Sequence, residues 1–288
     1  MASQNLDGYT DYHGPSVLLK QASDRNDDVA GGDQYCTDAV PDDDDETNPL
    51  RVGFWIEGDS LAPPCGSGIP VIHALLRLAK VSENDTVFDL GCGDGRVCLE
   101  AWVPRNRGGT FGARRCVGVE CEEDLVRRFG DLVVRFGCEE AVIPVLGDLR
   151  VELENLLQQS VDRLISLQKG EREIERDEWG LNLVICMYLL PEAIEMVRPY
   201  IVKLLRLGQE YRNFISKHGD SHNRGERNNK DQGVRILCNT WGFIPSNEEI
   251  QFQLMPTKVL EVSIDGEQTE TSDIRVELYL YTEDSCNK

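Results

Sequence analysis

The sequence predicts an α/β fold: a mostly parallel sheet with helices on both faces, closed by an antiparallel pair of strands. Three observations predict it. Short apolar runs alternate with amphipathic stretches of helical period through the middle of the chain, the pattern that builds strand–helix–strand units. The last two strand-like runs, Lys258 to Ile264 and Arg275 to Thr282, are separated by a polar stretch with no helical period, so they pair as an antiparallel β-hairpin. The first strand runs directly into three glycines, Gly91, Gly93 and Gly95, and then into a helix.

In chain order, residues 1–50 read as a disordered acidic tail. They hold 12 acidic side chains against Lys20 and Arg25 and end in Asp42-Asp43-Asp44-Asp45-Glu46. Such a segment cannot bury enough apolar surface to offset its ordering entropy. A folded domain is expected over residues 51–288. Trp55, Glu57 and Asp59 read as a plain surface turn rather than an entry lid. A Pro/Gly loop over 61–68 leads to a helix that admits Pro70 in its first turn and aligns Val71, Leu75, Leu78 and Ala79,.

Thr86 to Leu90 is the first strand and Arg96 to Trp102 a short helix; 107–113 is a glycine-rich loop. Cys116 to Glu120 is the second strand. Leu125, Phe129, Leu132, Val133 and Phe136 mark the next helix, and Ala141 to Leu146 the third strand. Leu153, Leu156, Leu157, Val161, Leu164 and Ile165 give another helix,. Leu181 to Tyr188 is so apolar that it reads as the central fourth strand. Pro191 to Leu207 is helical, and Pro199 predicts a kink or a break into two. Residues 208–232 read as a long surface loop, and Val234 to Thr240 as the fifth strand.

The bulk numbers narrow the function. The net charge is −21 over 288 residues, with 40% apolar residues. No basic stripe is present, so a nucleic-acid backbone is not the expected partner; a basic protein or a small molecule suits the charge better. The ten cysteines show no paired CxxC spacing, as expected for reduced thiols. The start of the chain has neither an apolar signal core nor an Arg-rich transit pattern, and the longest apolar run is too short to span a bilayer. A cytoplasmic location is expected, the nucleus remaining open. His218 and His222 lie in a polar stretch without a carboxylate cluster, so no metal site is read.

The chemistry concentrates in Asp89-Leu90-Gly91-Cys92-Gly93-Asp94-Gly95. Glycines allow a tight turn and close approach of a ligand to the backbone. Their spacing is one residue tighter than the pattern that cradles a pyrophosphate, which disfavours a nicotinamide dinucleotide. It suits S-adenosylmethionine (SAM), which has no phosphate. Asp89, at the strand's end, is placed to accept from the ammonium of such a ligand. Glu120, at the end of the second strand, is placed to take both ribose hydroxyls. Asp148, at the end of the third, can accept from the adenine amino group, while a neighbouring backbone N–H such as that of Leu149 meets a ring nitrogen. Ligands of doubly wound sheets bind at these strand ends.

Asp89-Leu90-Gly91-Cys92-Gly93-Asp94-Gly95-Arg96 resembles motif I of the class I SAM-dependent methyltransferases. With Gly118-Val119-Glu120, Gly147-Asp148-Leu149 and Tyr188-Leu189-Leu190-Pro191, the chain is similar to a narrower group within that superfamily. That group holds small bacterial and archaeal methyltransferases and the lysine methyltransferases of the ATP synthase c subunit and the adenine nucleotide translocase. The resemblance covers about residues 60–282. It implies a seven-stranded Rossmann-like SAM-methyltransferase sheet with a C-terminal antiparallel β-hairpin. It also implies SAM as cofactor, bound by Asp89, Gly91, Cys92, Gly93, Gly95, Glu120, Asp148 and Leu149. The chain departs from the group in its acidic tail, in Ala62-Pro63-Pro64-Cys65, and in added residues near 155–178 and 208–232.

The acceptor is read from the residues at the close of the fourth strand and just past it: Met187, Tyr188, Leu189 and Leu190. No Asn-Pro-Pro-Tyr or Asp-Pro-Pro-Tyr is present to hold a planar nitrogen. An apolar site with an aromatic wall suits a lysine amine, whose stem it holds and whose pKa burial lowers. Tyr188 is the candidate pocket residue. A protein lysine is therefore the first expectation, with a small-molecule acceptor or a non-catalytic SAM-binding scaffold as rivals.

Overall fold

The computed structural model describes residues 67–169, 182–218, 233–243, 254–264 and 274–286. The acidic tail, the turn at Trp55 and His222 lie outside these residues. Helix α1 (Ile69–Leu78) leads into β1 (Thr86–Leu90), α2 (Arg96–Trp102) and β2 (Arg115–Glu120). Then come α3 (Glu123–Phe136), β3 (Val142–Leu146), α4 (Leu149–Gln168), β4 (Leu183–Met187) and α5 (Pro191–His218). The chain ends in β5 (Val234–Asn239), β6 (Lys258–Ile264) and β7 (Ile274–Thr282).

The seven strands form one sheet in the order β3-β2-β1-β4-β5-β7-β6. Strands β1 to β5 run parallel, while β7 is antiparallel to both β5 and β6. Sequence order reverses between β1 and β4, the switch point at whose carboxyl ends doubly wound sheets bind their ligands. The central strands β1, β4 and β5 are buried at every residue, as expected of strands covered on both faces.

Two cores result. One packs Val71, Ile72 and Leu75 of α1, Cys98 and Leu99 of α2 and Phe129 of α3 against Val87, Val184 and Leu237 of the sheet. The other packs Leu153 and Leu156 of α4 and Ile194, Val197 and Ile201 of α5 against Phe88, Leu90, Ile185 and Ile236. Local signals set the helix ends. Pro70 sits at the start of α1, and Gly137, at φ 61°, closes α3 in the left-handed conformation, where glycine costs nothing.

The expected terminal pairing is present, but β7, not β6, lies beside β5. Interior position explains why Tyr281 is buried in the α5-side core rather than turned to water.

Two expectations are corrected. A single helix α5 runs through Pro199 for 28 residues, so there are not two helices. It also extends to His218, taking in 208–218, which read as loop. The misleading signal is Gly208. A Cβ there would stand 2.7 Å from Val234 Cγ2 and 2.8 Å from Glu283 Oε1, so the glycine marks close packing and not a helix break. Beyond it Tyr211 packs on Leu164 and Leu207, extending the α4–α5 contact. No helix among the described residues is long and apolar enough to cross a membrane.

Candidate functional site

The carboxyl end of β1 is pinned to β2 before the glycines begin to turn. Gly91 N and Cys92 N both donate to Val119 O, at 2.9 and 3.1 Å. Gly91, Gly93 and Gly95 then take φ of 74°, 56° and 76°, the region side chains avoid. Two of them are also packed. A Cβ at Gly91 would lie 2.8 Å from Leu189 Cδ2, and one at Gly95 2.1 Å from the Phe129 ring. Glycine at 91 and 95 is thus demanded by the protein itself, before any ligand arrives.

Asp89 is 4% exposed, and no described residue hydrogen-bonds its carboxylate. Burial, and then the negative charges of Glu120 and Asp94, push its pKa up to about 8. A carboxyl in this state is short of a cation. Arg96, at the far side of the glycine turn, is committed elsewhere: it donates to Asp94 through Nε (3.0 Å) and Nη2 (2.9 Å). Its Nη1 donates to Ser67 O at 3.2 Å, which ties the approach to α1 to the glycine turn.

Glu120 closes the other side. Its Oε2 accepts from Gly93 N at 3.0 Å, and its Oε1 from Cys121 N at 2.8 Å and Glu122 N at 3.2 Å. These donors fix the carboxylate across the mouth of the turn. Asp148 stands at the end of β3 as the N-cap of α4, accepting from Arg150 N at 2.8 Å. The Arg150 guanidinium grips both its oxygens, and these bonds hold its pKa down to about 2. Leu149 opens the helix, where backbone N–H groups lack intrahelical partners.

The residues read from the sequence therefore gather at three neighbouring strand ends, with differences of detail. Cys92 turns its thiol into the α1-side core, leaving only its backbone to face a ligand. Burial, with the carboxylates of Asp89, Glu120 and Asp94 adding to it, pushes that thiol's pKa up. The other described cysteines, Cys98, Cys116, Cys121, Cys138, Cys186 and Cys238, are likewise free thiols. Tyr188 leaves β4 one residue before Leu189, the residue beneath Gly91, and stacks on Trp241.

Sequence reasoning names Arg96, Leu189 and Gly118 within its motifs but misses what each of them packs against or binds. Gly118 carried a usable signal, a glycine inside an apolar strand. A Cβ there would strike Cys92 Sγ and Phe129, each at 2.7 Å. Arg96 and Leu189 carried none, because their partners, Ser67 and Gly91, are distant in sequence.

No protein-family model matches the chain. It is similar to a protein-lysine N-methyltransferase of the archaeon Saccharolobus islandicus, with 30% identity over 139 residues. The match takes in 48% of this chain and 66% of that relative, just under two thirds of its length. Among solved structures, an RNA methyltransferase from Salinibacter ruber in complex with S-adenosyl-L-homocysteine is 20% identical. It covers 75% of this chain and 92% of its own, at a TM-score of 0.42. The C-terminal domain of precorrin-6Y C5,15-methyltransferase from Rhodobacter capsulatus is 11% identical, covering 75% and 90%, at a TM-score of 0.40. With its sequence relative, its sheet order and its glycine turn flanked by strand-end carboxylates, the chain belongs to the class I SAM-dependent methyltransferase superfamily.

Proposed function

We propose that this chain transfers the methyl group of SAM to the side-chain amine of a lysine in a protein acceptor. The observation that carries the cofactor half is the buried Asp89 carboxylate. It has no hydrogen-bond partner among the described residues and sits at the head of a turn of three left-handed glycines. The acceptor half is supported by the lysine-methylating relative, by the apolar and aromatic residues past β4, and by a net charge of −21 that favours a basic partner.

The residues fit the cofactor group by group. Asp89 accepts from its ammonium and ionises as the cation arrives, releasing its proton to water. The backbone of Gly91, Cys92, Gly93 and Gly95 lies against the amino-acid arm. Glu120, already oriented by three backbone donors, takes the ribose hydroxyls. Asp148 takes the adenine amino group and the N–H of Leu149 a ring nitrogen. When bound, SAM supplies a methyl group activated by a positively charged sulfur.

Tyr188 and its apolar neighbours do the remaining work on the acceptor. They exclude water from the lysine stem, which lowers the amine's pKa and frees its lone pair. The amine forms the new N–C bond as the C–S bond breaks, and the breaking bond's electron pair stays on sulfur. The product ammonium then returns a proton to solvent. Positioning alone supplies much of the rate in such a displacement. The free thiols among the described residues support a reducing compartment such as the cytoplasm,.

Incubation with tritiated-methyl SAM and a protein extract tests the reading. Labelled protein bands that yield methyl-lysine on hydrolysis are expected, and none with Asp89→Ala. Label confined to small molecules would replace the lysine reading with the small-molecule one.

A further inference from the structure

A second feature stands at the same edge of the sheet. The rings of Tyr188 and Trp241 come from different strand ends and stack, with centroids 6.3 Å apart and planes at 22°. Cys186 is in register with Asp89 on one side and with Leu237 on the other. Tyr188 lies just beyond Cys186 and Trp241 just beyond Leu237. The aromatic pair therefore leaves the sheet at the same end as the buried carboxylate. Trp241 is 38% exposed, so the indole is not sealed into either core.

The backbone that presents the indole is fixed from several directions. Thr240, a β-branched residue, takes φ 69°, a conformation such residues rarely adopt. Its N–H donates to Glu277 O of β7 at 2.8 Å, and Trp241 N donates to Asn239 O at 2.8 Å. The buried Asn239 donates through Nδ2 to Ser67 Oγ at 3.0 Å, and Arg96 holds the carbonyl of that same Ser67. Strain maintained by this many contacts concentrates where a side chain must be aimed. Here the side chain is an indole stacked on Tyr188 and still partly exposed.

We propose that Trp241 is a specificity-determining residue, forming with Tyr188 the flat wall on which the acceptor's alkyl stem and ammonium lie. This rests on the lysine reading above and deepens it. Aromatic faces attract an ammonium and also cover a methylene chain. The Tyr188 ring backs the indole, and the turn at Thr240 holds its orientation.

The test uses the full chain with Trp241→Ala and Trp241→Phe. For the lysine acceptor labelled by the wild type, Trp241→Ala is expected to raise KM at least 10-fold. It should change kcat less than 3-fold and SAM affinity less than 2-fold. Trp241→Phe is expected to recover KM to within 3-fold, which a merely structural role would not require. An unchanged KM in Trp241→Ala overturns the inference.

A second readout separates this inference from the lysine reading. The protein saturated with S-adenosylhomocysteine is titrated with n-butylammonium while tryptophan fluorescence is followed. A saturable change in the wild type that is lost in Trp241→Phe supports the wall. Its absence in the wild type overturns the wall. If the wild type labels no lysine, that reading falls alone, and the titration still decides the role of Trp241.

Discussion

The two ends of the sheet are made by the same strands, but the amino end pairs its buried carboxylates Asp85 and Glu283, whereas the carboxyl end leaves one, Asp89, without a partner among the described residues. At the amino end, Asp85 pairs with the Arg235 guanidinium, whose Nη1 also donates to Ala79 O at 2.8 Å. Glu283 pairs with Arg212 and accepts from Val234 N at 2.9 Å. These carboxylates are buried and satisfied by the protein, and they join α1, α5 and the last turn to the strands. At the carboxyl end Asp89 is just as buried but has no partner among the described residues. The nearby glycines and Thr240 hold left-handed backbone. Removing one partner of a closed buried pair strands a charge, whereas a buried carboxylate without a partner burdens the empty protein with its desolvation, as groups at functional sites often do.

The sharpest way to break this comparison is to open a closed pair. Asp85→Ala strands the Arg235 charge in the core and is expected to cost about 3–5 kcal/mol in urea unfolding, with SAM affinity unchanged in whatever fraction remains folded. Asp89→Asn is the counterpart at the other end. It is expected to leave stability at pH 7 unaltered or higher. It should weaken SAM binding by about 1.5–3 kcal/mol, roughly 10- to 150-fold, the worth of one charge-assisted hydrogen bond. Calorimetric titration checks this, and equal affinity of the two proteins would remove Asp89 from the site.

The same residue fixes a pH dependence. Its pKa in the folded chain is pushed from an ordinary 3.8 up to about 8. Between those values the folded chain keeps a proton that the unfolded chain has lost, so stability falls as pH rises across the window. Glu283, also raised by burial, contributes in the same direction. The part due to Asp89 is the difference from Asp89→Asn, whose melting temperature should decline less between pH 5 and 9. Parallel curves would contradict it.

The smallest expected effect is at Asp148, which is exposed and held by Arg150. Asp148→Ala removes the N-cap of α4 and is expected to cost about 1 kcal/mol in unfolding. A larger loss in SAM affinity than in stability would mark its role toward adenine.

Much of this could be read before any coordinates. Strand and helix periods are local, so the alternation and the terminal antiparallel pair were legible. So was the glycine turn, because left-handed backbone demands glycine in the residue itself. Asp89, Glu120 and Asp148 were legible because topology brings the ends of successive strands together. Gly208 misled for the converse reason: its backbone is ordinary helix, and only the distant Val234 and Glu283 require it to be small.

By itself, then, the sequence determined the element order, the motif and the strand-end carboxylates, all of which depend on near neighbours in the chain. Tertiary structure alone decided that β7 enters the sheet between β5 and β6. It also decided that Arg96 and Asn239 share Ser67, that Asp89 lacks a partner among the described residues while Asp85 has one, and that Tyr188 meets Trp241. Each depends on residues tens of positions apart meeting across strands, and periodicity carries no record of which distant side chains fill the same space.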